Sequence, residues 1–362
     1  MIDSTATGVV DYGKSGRRDT YTFVYVNPFT LEETGELAEV EQGASKLTWN
    51  YEGENILSGS ISFLSEPDAT KLIRVKHAIE VDGVTETETL GTLFLDWTSE
   101  SAKYGLVNTD VNAYSTYWRF TQDCIIQDFA RPKGYNVVQE LREIIEADGG
   151  KLKVREGVDT SRTHTIDICF EIETNRAEVI NTIAGWIGCE VSVDADGYIV
   201  LQPYTEPRLK TVKYNFMDNE NCTYLAGFDL EDNKDDMVNR VVAYYSTKEA
   251  TDRVMVDLPD NHPFSYQSIG RRVSHFIKLQ DAVSHEELNN QAVTYLNQHS
   301  TASTKYIEIE HAFIPNLTVG DVVTYSNSTD YREPVNYTCQ ILQMDMTLGN
   351  GGMCDTKLKV VS

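Results

Sequence analysis

The chain has 362 residues and a formal net charge of −25 at pH 7, because 56 acidic residues outnumber 31 basic ones. This excess of negative charge argues against a nucleic-acid-binding protein, which needs a basic surface to hold phosphates. Hydrophobic residues make up 41% of the chain, an ordinary share for a globular protein of about two to four domains. No apolar run approaches the roughly 18 residues that span a bilayer, and the first residues lack the basic and apolar regions of a signal peptide.

The first 120 residues predict an arm followed by a strand-rich domain. Residues 1–18 are polar and contain glycine, as a terminal arm does. From residue 19 onward, apolar and polar residues alternate with the period of two that is typical of β-strands, and Asp82-Gly83 is a hairpin-turn signal. Several short strands with little helix indicate a small barrel or sandwich over 19–120. The predicted strands are Tyr21–Val26, Leu57–Phe63, Ile73–Val81, Thr92–Trp97 and Gly105–Tyr114.

Residues 121–205 have a different pattern, which predicts a compact α+β insert. Apolar residues at helical spacing predict a first helix over about 136–147. A second helix begins near Thr174 or Asn175, and Gly188 is its predicted C-terminal stop. A hairpin follows, with a turn at Ala195–Gly197. The residues that predict the first helix are Val138, Leu141, Ile144 and Ile145, and those that predict the second are Ala177, Ile180, Ile183 and Ile187.

Residues 206–236 are predicted to be a polar connecting segment, and 237–362 a second strand-rich domain with one helix. Ser284 and Glu287 form a capping box, which predicts that this helix runs from residue 284 to 299. The residues Leu288, Ala292, Tyr295 and Leu296 give the helix one apolar face. Alternating strands are predicted at Asn239–Tyr245, Tyr306–Phe313, Tyr337–Leu348 and Cys354–Val361.

The order of these parts resembles the phage tail-hub proteins of contractile and long-tailed phages and of the related headless, phage-tail-like bacteriocins. The resemblance covers roughly two thirds of the chain, and the order of the motifs carries it more than any single motif. The matching stretches are Asn239–Val242, Ser268–Gly270, Ser284–Leu288 with its helix, Leu317–Val323 and, upstream, Ile183–Pro203.

The resemblance implies a mainly β protein in which two tail-tube-like β-barrel domains, 19–120 and 237–362, flank the α+β domain 121–205. It also implies a structural protein that acts as a homotrimer, because three copies present six barrels to a six-fold tube. The expected partners are the tail tube protein, a central spike or tail-tip protein and other baseplate proteins. DNA would pass through such a ring without specific binding, and no membrane is involved. The expected location is the tail or baseplate of a virion or phage-tail-like particle made in the host bacterial cytoplasm.

Four stretches look like ligand-binding motifs but lack the context that each motif needs. Gly8–Ser15 fits a phosphate-binding loop, yet no buried strand precedes it and a strand pattern follows it. His285–Asn289 lacks the second histidine of a zinc-protease helix. Asp194–Gly197 and the acidic run Asp229–Asp236 lack the spacing of a calcium loop, so a hairpin turn and a solvated loop are predicted instead.

The cysteines, histidines and paired acids are also predicted to be structural. No two of the six cysteines lie within ten residues of each other, which excludes a Cys-x-x-Cys pair. His77 and His311 lie on the apolar phase of their strands, where lone histidines are usually satisfied core groups. We therefore expect no catalytic residue, no metal and no cofactor. The six cysteines are Cys124, Cys169, Cys189, Cys222, Cys339 and Cys354.

Two alternative functions remain open at this stage. The first is a cell-wall hydrolase or peptidase, for which Glu86 with Glu88 and Glu308 with Glu310 are candidate carboxylate pairs. In some members of the resembling family such an enzyme domain follows the hub module, and because the sequence ends at Ser362, soon after the last predicted strands, we expect none here. The second is a surface carbohydrate-binding module, which the 20 tyrosines and four tryptophans suggest.

Overall fold

The structure of the chain is a computed structural model. It describes residues 16–37, 40–41, 43–53, 55–103, 106–127, 129–218, 222–225, 229–233, 237–246, 251–279, 285–299, 304–327, 335–349 and 351–361. The predicted arm therefore lies outside the described residues except for its last three, and the Gly8–Ser15 motif lies wholly outside them.

The predicted mainly β class is confirmed, since strands make up 49% of the structure and helices 15%. The first strands are β1 (Arg18–Val26), β2 (Glu33–Leu37), β3 (Lys46–Asn50), β4 (Leu57–Phe63), β5 (Leu72–Val81), β6 (Val84–Lys103), β7 (Leu106–Ser115), β8 (Phe129–Arg131), β9 (Leu152–Val154) and β10 (Ile168–Phe170). The later strands are β11 (Cys189–Val193), β12 (Ile199–Pro203), β13 (Val212–Met217), β14 (Asp229–Asn233), β15 (Arg240–Ser246), β16 (Thr251–Asp257), β17 (Ser274–Leu279), β18 (Thr304–Ala312), β19 (Val322–Asn327), β20 (Val335–Thr347) and β21 (Met353–Val360).

Five α-helices and one short 3₁₀ helix accompany these strands within the described residues. The helices are α1 (Trp118–Thr121), α2 (Val137–Ala147), α3 (Arg176–Trp186), α4 (Tyr266–Ile269) and α5 (His285–His299), and the 3₁₀ helix is Pro207–Leu209. None of the helices in the described part of the chain has the length and apolar character needed to cross a membrane.

The chain forms two compact units. The first unit comprises Met1–Phe228 and Glu308–Ser362, and the second comprises Asp229–Ile307. The segment 237–362, predicted to be one domain, is therefore divided between the two units.

One large sheet dominates the first unit. Nine of its 13 strands are hydrogen-bonded in the order β21, β20, β3, β4, β7, β6, β5, β1 and β2, and β18 lies next to β21. The long strand β20 changes its neighbour along its length, because Gln340 pairs with Val322 of β19 whereas Gln343 pairs with Asn50 of β3. Strands from both ends of the sequence thus share this sheet.

Local sequence explains the hairpin between β5 and β6. Asp82 and Gly83 have φ angles of 52° and 80°, and a two-residue turn that matches strand twist needs positive φ at both positions. Glycine adopts such angles without strain, and aspartate tolerates them better than most residues. The predicted turn at these two residues is confirmed.

The segment predicted to be a polar connection, 206–236, contributes a strand to the first unit. Strand β13 lies parallel to β19, with Phe216 opposite Tyr325, and both of these side chains are fully buried. Only one residue of β13 is buried, so the segment lacks the alternation of a strand with one covered face. Pairing with β19 therefore decides its conformation.

The predicted insert folds around α2 and α3 and also belongs to the first unit. The side-chain oxygens of Asn136 and Asn175 accept hydrogen bonds from backbone N–H groups in the first turns of α2 and α3. Gly188 has a φ of 68° just after α3, as expected for a glycine that stops a helix. Both predicted helices are confirmed. The helices pack on the sheet β11–β12–β9, and the buried core includes Phe120, Leu141, Ile145, Ile180, Ile183 and Leu201.

The second unit is a three-stranded sheet covered on one face by α5. Strand β15 lies in the middle, antiparallel to β16 and parallel to β17. The predicted helix is confirmed over His285–His299, while Ser284 of the predicted capping box lies outside the described residues. The buried core of this unit includes Val241, Ala243, Val254, Leu288, Ala292 and Leu296.

Candidate functional site

A buried ionic cluster of Arg17, Asp19 and His77 lies in the first unit. Asp19 Oδ1 is 2.7 Å from Arg17 Nη2 and 2.7 Å from His77 Nε2, and the three side chains are at most 6% exposed. Arg17 Nη1 also donates a hydrogen bond to the carbonyl oxygen of Phe313 at 2.8 Å. The cluster therefore connects β1 and β5 to the C-terminal segment of the chain.

The pKa shifts of Asp19 and His77 favour the charged form of both groups. Burial raises the pKa of Asp19, but hydrogen bonds from His77 and Arg17 outweigh burial, so the net pKa is lowered. Burial lowers the pKa of His77, but Asp19 and then Glu88 outweigh it, so the net pKa is raised. Glu88 Oε1 lies 3.7 Å from His77 Nδ1, an ion-pair distance that is too long for a hydrogen bond. Asp19 thus contacts both Arg17 and His77, and Glu88 is a second carboxylate beside His77.

His311 is buried in the opposite charge state. Its Nδ1 lies 2.8 Å from the carbonyl oxygen of Ala312, so Nδ1 donates and Nε2 accepts a 2.8 Å hydrogen bond from the Thr356 hydroxyl. Burial lowers the pKa of His311 to about 4, which keeps the imidazole neutral at pH 7. Both His77 and His311 are fully buried, as predicted. Both ring nitrogens of His311 have hydrogen-bond partners, whereas His77 Nδ1 has none among the described residues.

The hairpin turn between β11 and β12 docks on the large sheet of the first unit. The Thr92 and Thr116 hydroxyls donate to the carbonyl oxygens of Ala195 and Gly197 at 2.8 and 2.9 Å. Arg74 Nη2 donates to the carbonyl oxygen of Asp196 at 2.9 Å. Three successive carbonyl groups of the turn are therefore held by side chains of the sheet.

Asp194 is engaged within the same turn. Its Oδ1 accepts from the Tyr198 N–H at 2.9 Å, and its Oδ2 pairs with Lys153 Nζ at 2.9 Å. The carboxylate therefore closes the hairpin, and the predicted turn at 194–197 is confirmed. Among the described residues, no group of three or more His, Cys, Asp or Glu side chains is arranged to hold a metal ion.

We expect Gly197→Ala to destabilise the chain by about 1–3 kcal/mol, as a combination of backbone strain and crowding. Gly197 has a φ of 91°, and an added Cβ would lie 3.0 Å from Thr116 Cγ2 and 3.2 Å from Thr92 Cβ. Gly188→Ala is the matched control, because its φ is 68° and an added Cβ meets nothing within 4 Å. Urea denaturation of both variants measures the difference, and equal effects would contradict tight docking of the turn.

A cleft of about 920 Å³ lies in the first unit between the sheet, the insert and the loop 316–321. Its polar lining is largely paired internally: Tyr51 donates to Glu190 at 2.7 Å, and Lys210 Nζ donates to the Gly320 carbonyl at 3.0 Å. Asp321 accepts from Lys213 Nζ at 2.7 Å and from the Thr318 N–H at 2.9 Å. These paired side chains are held by their neighbours, and they help to pack the sheet, the insert and the loop 316–321 together.

The candidate carboxylate pairs have different surroundings. Glu88 lines the cleft, and its Oε2 accepts from the Asn316 N–H at 3.2 Å. Glu308 and Glu310 are exposed on β18, and Glu308 forms an ion pair with Lys357 at 3.4 Å. His285 of the incomplete zinc-protease pattern lies 2.8 Å from Asp252, so it is occupied by an ion pair. Glu88, Glu308 and His285 thus each contact a neighbouring group of the chain.

The large sheet has one strongly polar face, defined here by Asp345, Thr48, Ser60, Asn112 and Asp110. Cross-strand pairs place these residues on one side of β20, β3, β4 and β7. The Thr48 hydroxyl donates to Asp345 at 2.5 Å, as the Ser62 hydroxyl does to Asp110. The opposite face carries the buried residues Met346, Leu47, Ile61, Val111 and Ala113. Hydroxyl, amide and carboxylate groups thus make up the polar face, and Lys46, which pairs with Ser60, adds a cation to it.

Sequence reasoning missed Arg17 and Asp19. Arg17 falls in the stretch predicted to be an arm, yet its side chain is 6% exposed. Asp19 is buried with Tyr21 and Phe23 on one side of β1. An acidic residue in the apolar phase of a strand is a signal that would have found this site, because a buried carboxylate needs a partner.

Comparison with known proteins gives the fold a class. No protein-family model matches the sequence, and neither does any curated protein. The solved structure of a tail protein from Neisseria meningitidis MC58 matches with a TM-score of 0.66 and 12% identity over 94% of this chain and 97% of that one. The 43 kDa tail protein of prophage MuSo2 from Shewanella oneidensis matches with a TM-score of 0.65 and 12% identity, over 94% and 98% of the two chains.

A third match is prophage tail protein gp18 from Listeria monocytogenes EGD-e, with a TM-score of 0.58 and 10% identity over 93% of this chain and 94% of that one. The chain therefore has the fold of phage tail proteins. The resemblance predicted from the order of the motifs is confirmed as a likeness of fold.

Proposed function

We propose that this chain is a structural, non-enzymatic tail-hub protein. Three copies would form a ring of near six-fold symmetry that joins the tail tube to a spike or tail tip and to other baseplate proteins. The observation that carries the proposal is the match of fold to three tail proteins over 93–94% of the chain. Its location would then be the tail of a virion or phage-tail-like particle.

Two tube-like barrel modules in each copy remain part of this proposal. They would be built from 19–120 and 237–362, with 121–205 between them. Support comes from the large sheet, in which β20 of the later segment is hydrogen-bonded to β3 of the earlier one. Two modules that share a sheet are held in a fixed relation, which a ring of repeating modules requires.

The polar face gives the proposed ring a physical basis for passing DNA. Asp345 and Asp110 would present carboxylates, and Lys46, which pairs with Ser60, would be one cation on the same face. A wall of this kind repels the nucleic-acid backbone, and the net charge of −25 has the same sign. DNA would therefore move past the wall without binding to it.

The engagement of the candidate carboxylates supports a non-enzymatic role. A glycosidase needs one carboxyl group that is free to donate a proton and a second that faces the same bond. Here Glu88 accepts from a backbone N–H and Glu308 pairs with Lys357. Glu88 and Glu308 are therefore each engaged by another group of this chain and are not set aside for a substrate.

The test is the assembly state of the purified chain. We expect mass photometry to give three times the chain mass, and electron microscopy to show rings with a central opening. A particle that is clearly not a trimer would contradict the proposal. Incubation with peptidoglycan and binding to a glycan array address the alternatives, since released fragments would favour a hydrolase and bound glycans a carbohydrate-binding module.

A further inference from the structure

The sheet of the second unit has one covered face and one outward face. Helix α5 packs on the side that carries Val241, Ala243 and Val254. The residues between them in sequence point to the opposite side, because side chains alternate along a strand. The outward face is defined here by Val242, Tyr244, Arg253, Met255, Phe276 and Lys278.

The centre of the outward face is an apolar row. Val242 of β15 pairs with Met255 on one side and with Phe276 on the other, so the three side chains are neighbours across the sheet. Met255 is 58% exposed and Phe276 is 62% exposed. Single exposed apolar residues are ordinary, but a row that crosses three strands is a feature of contact surfaces.

A cationic row lies beside the apolar one. Tyr244 pairs with Arg253 on one side and with Lys278 on the other. Among the residues that the structure describes, no carboxylate forms an ion pair with Arg253 or Lys278, whereas Arg240 on the far side of the apolar row pairs with Asp257 at 2.5 Å. The outward face therefore has an excess of positive charge in a chain whose net charge is −25.

We propose that the outward face is a contact surface for a second copy of this chain. The outward face of one copy would lie against an acidic surface of the other copy. The inference rests on the proposed homo-oligomeric hub and adds the residues that make one of its contacts. Two copies of so acidic a chain repel each other over roughly the 8 Å Debye length at physiological salt. A cationic row at the contact offsets that repulsion locally, and charge complementarity of this kind also fixes the partner's orientation.

The size of the face determines its role in the contact. Three strands about 4.8 Å apart, with about three outward residues each, give a flat area of roughly 200–300 Å². One partner in a standard interface contributes about 800 Å². The outward face is thus the centre of a larger contact, where an aromatic or aliphatic anchor carries most of the binding energy.

The test compares the assembly of four proteins by mass photometry and sedimentation over a range of concentrations. The double variant Met255→Ser with Phe276→Ser removes the apolar row, and Arg253→Glu with Lys278→Glu reverses the cationic row. Leu64→Ser with Leu209→Ser is the control, because these leucines are 50% and 75% exposed and lie in the first unit. All substituted side chains are exposed, and circular dichroism verifies that each protein is folded.

We expect both outward-face variants to raise the dissociation constant of the wild-type oligomer by about tenfold or more, and the control to leave it unchanged. If the oligomer forms equally well in every variant, the outward face is not a contact between copies and this inference is overturned, while the proposed hub stands. If the wild-type chain is a monomer throughout, the trimeric hub and this inference both fail. The charge-reversed variant decides the matter if the apolar one does not fold.

Discussion

Asp19→Ala is expected to lower the free energy of unfolding by about 3–5 kcal/mol, because it leaves the buried Arg17 cation without its counterion and His77 without the carboxylate that its Nε2 contacts. Arg17 and His77 both lie 2.7 Å from Asp19 Oδ1, and neither side chain is more than 6% exposed. Removing the carboxylate also leaves fewer groups to hold Arg17 against the Phe313 carbonyl. Chemical denaturation measures the loss.

The matched control is Glu308→Ala, which breaks an ion pair at the surface. Glu308 lies 3.4 Å from Lys357, and the two side chains are 56% and 33% exposed. Exposed pairs contribute about 0–1 kcal/mol, so this variant should remain close to the wild type. An effect of Asp19→Ala as small as that of the control would show that the cluster does not stabilise the fold.

The pH of the Asp19 experiment follows from the signs of the two shifts. The pKa of Asp19 is lowered, so its contribution is present above 3.8 and is lost as pH falls through the folded-state pKa below that value. The pKa of His77 is raised, so its contribution is complete below 6.5 and is lost as pH rises through the folded-state pKa above that value. Measurements between pH 5 and 6 therefore report the whole effect.

Local signals in the sequence located most elements of the insert correctly. Asn136 and Asn175 precede apolar residues at helical spacing, and each one caps the helix that this spacing predicts. Asp194 and Gly197 mark a turn, and the flanking residues form the hairpin β11–β12. Caps, helical periodicity and turn residues depend on neighbours in sequence, so a single sequence contains them.

Pairing between distant segments could not be predicted in the same way. The pattern of β20 is compatible with any partner that buries one face, yet its two halves pair with β19 and with β3. Strand β3 itself was not predicted, and only Leu47 in it is fully buried. Register between such strands is decided by packing in three dimensions, which a local period of two does not specify.

The same limit applied to the buried ionic cluster. The phase of His77 on β5 predicted a buried histidine, but its partner Asp19 was not predicted because β1 was identified from Tyr21 onward. Arg17 reaches the cluster from a position that has the composition of an arm. A buried charge is located by its counterions, and these come from parts of the chain that have no local relation to each other.

His311→Gln is expected to remove a stability loss that the wild-type chain shows on acidification. The pKa of His311 is about 4 in the folded chain because of burial, and an unfolded histidine has the ordinary value of 6.5. As pH falls below 6.5, the unfolded chain therefore binds a proton that the folded chain does not, and the free energy of unfolding falls. The loss from pH 7 to pH 5 is about 2 kcal/mol at 1.4 kcal/mol per pH unit.

The experiment measures urea denaturation of the wild type and the variant at pH 7, 6 and 5, and takes the difference at each pH. Glutamine retains hydrogen-bonding groups but does not titrate, so the free energy of unfolding of the variant should lie below that of the wild type at pH 7 and approach it at pH 5.

Thr356→Val is the matched control: it removes the hydroxyl that donates to Nε2 and leaves the imidazole buried. That control should lose about 1 kcal/mol at pH 7 and keep a wild-type slope. A difference between wild type and His311→Gln that stays constant with pH would mean that the pKa of His311 is the same in the folded and unfolded chains, and would contradict its burial as a neutral imidazole.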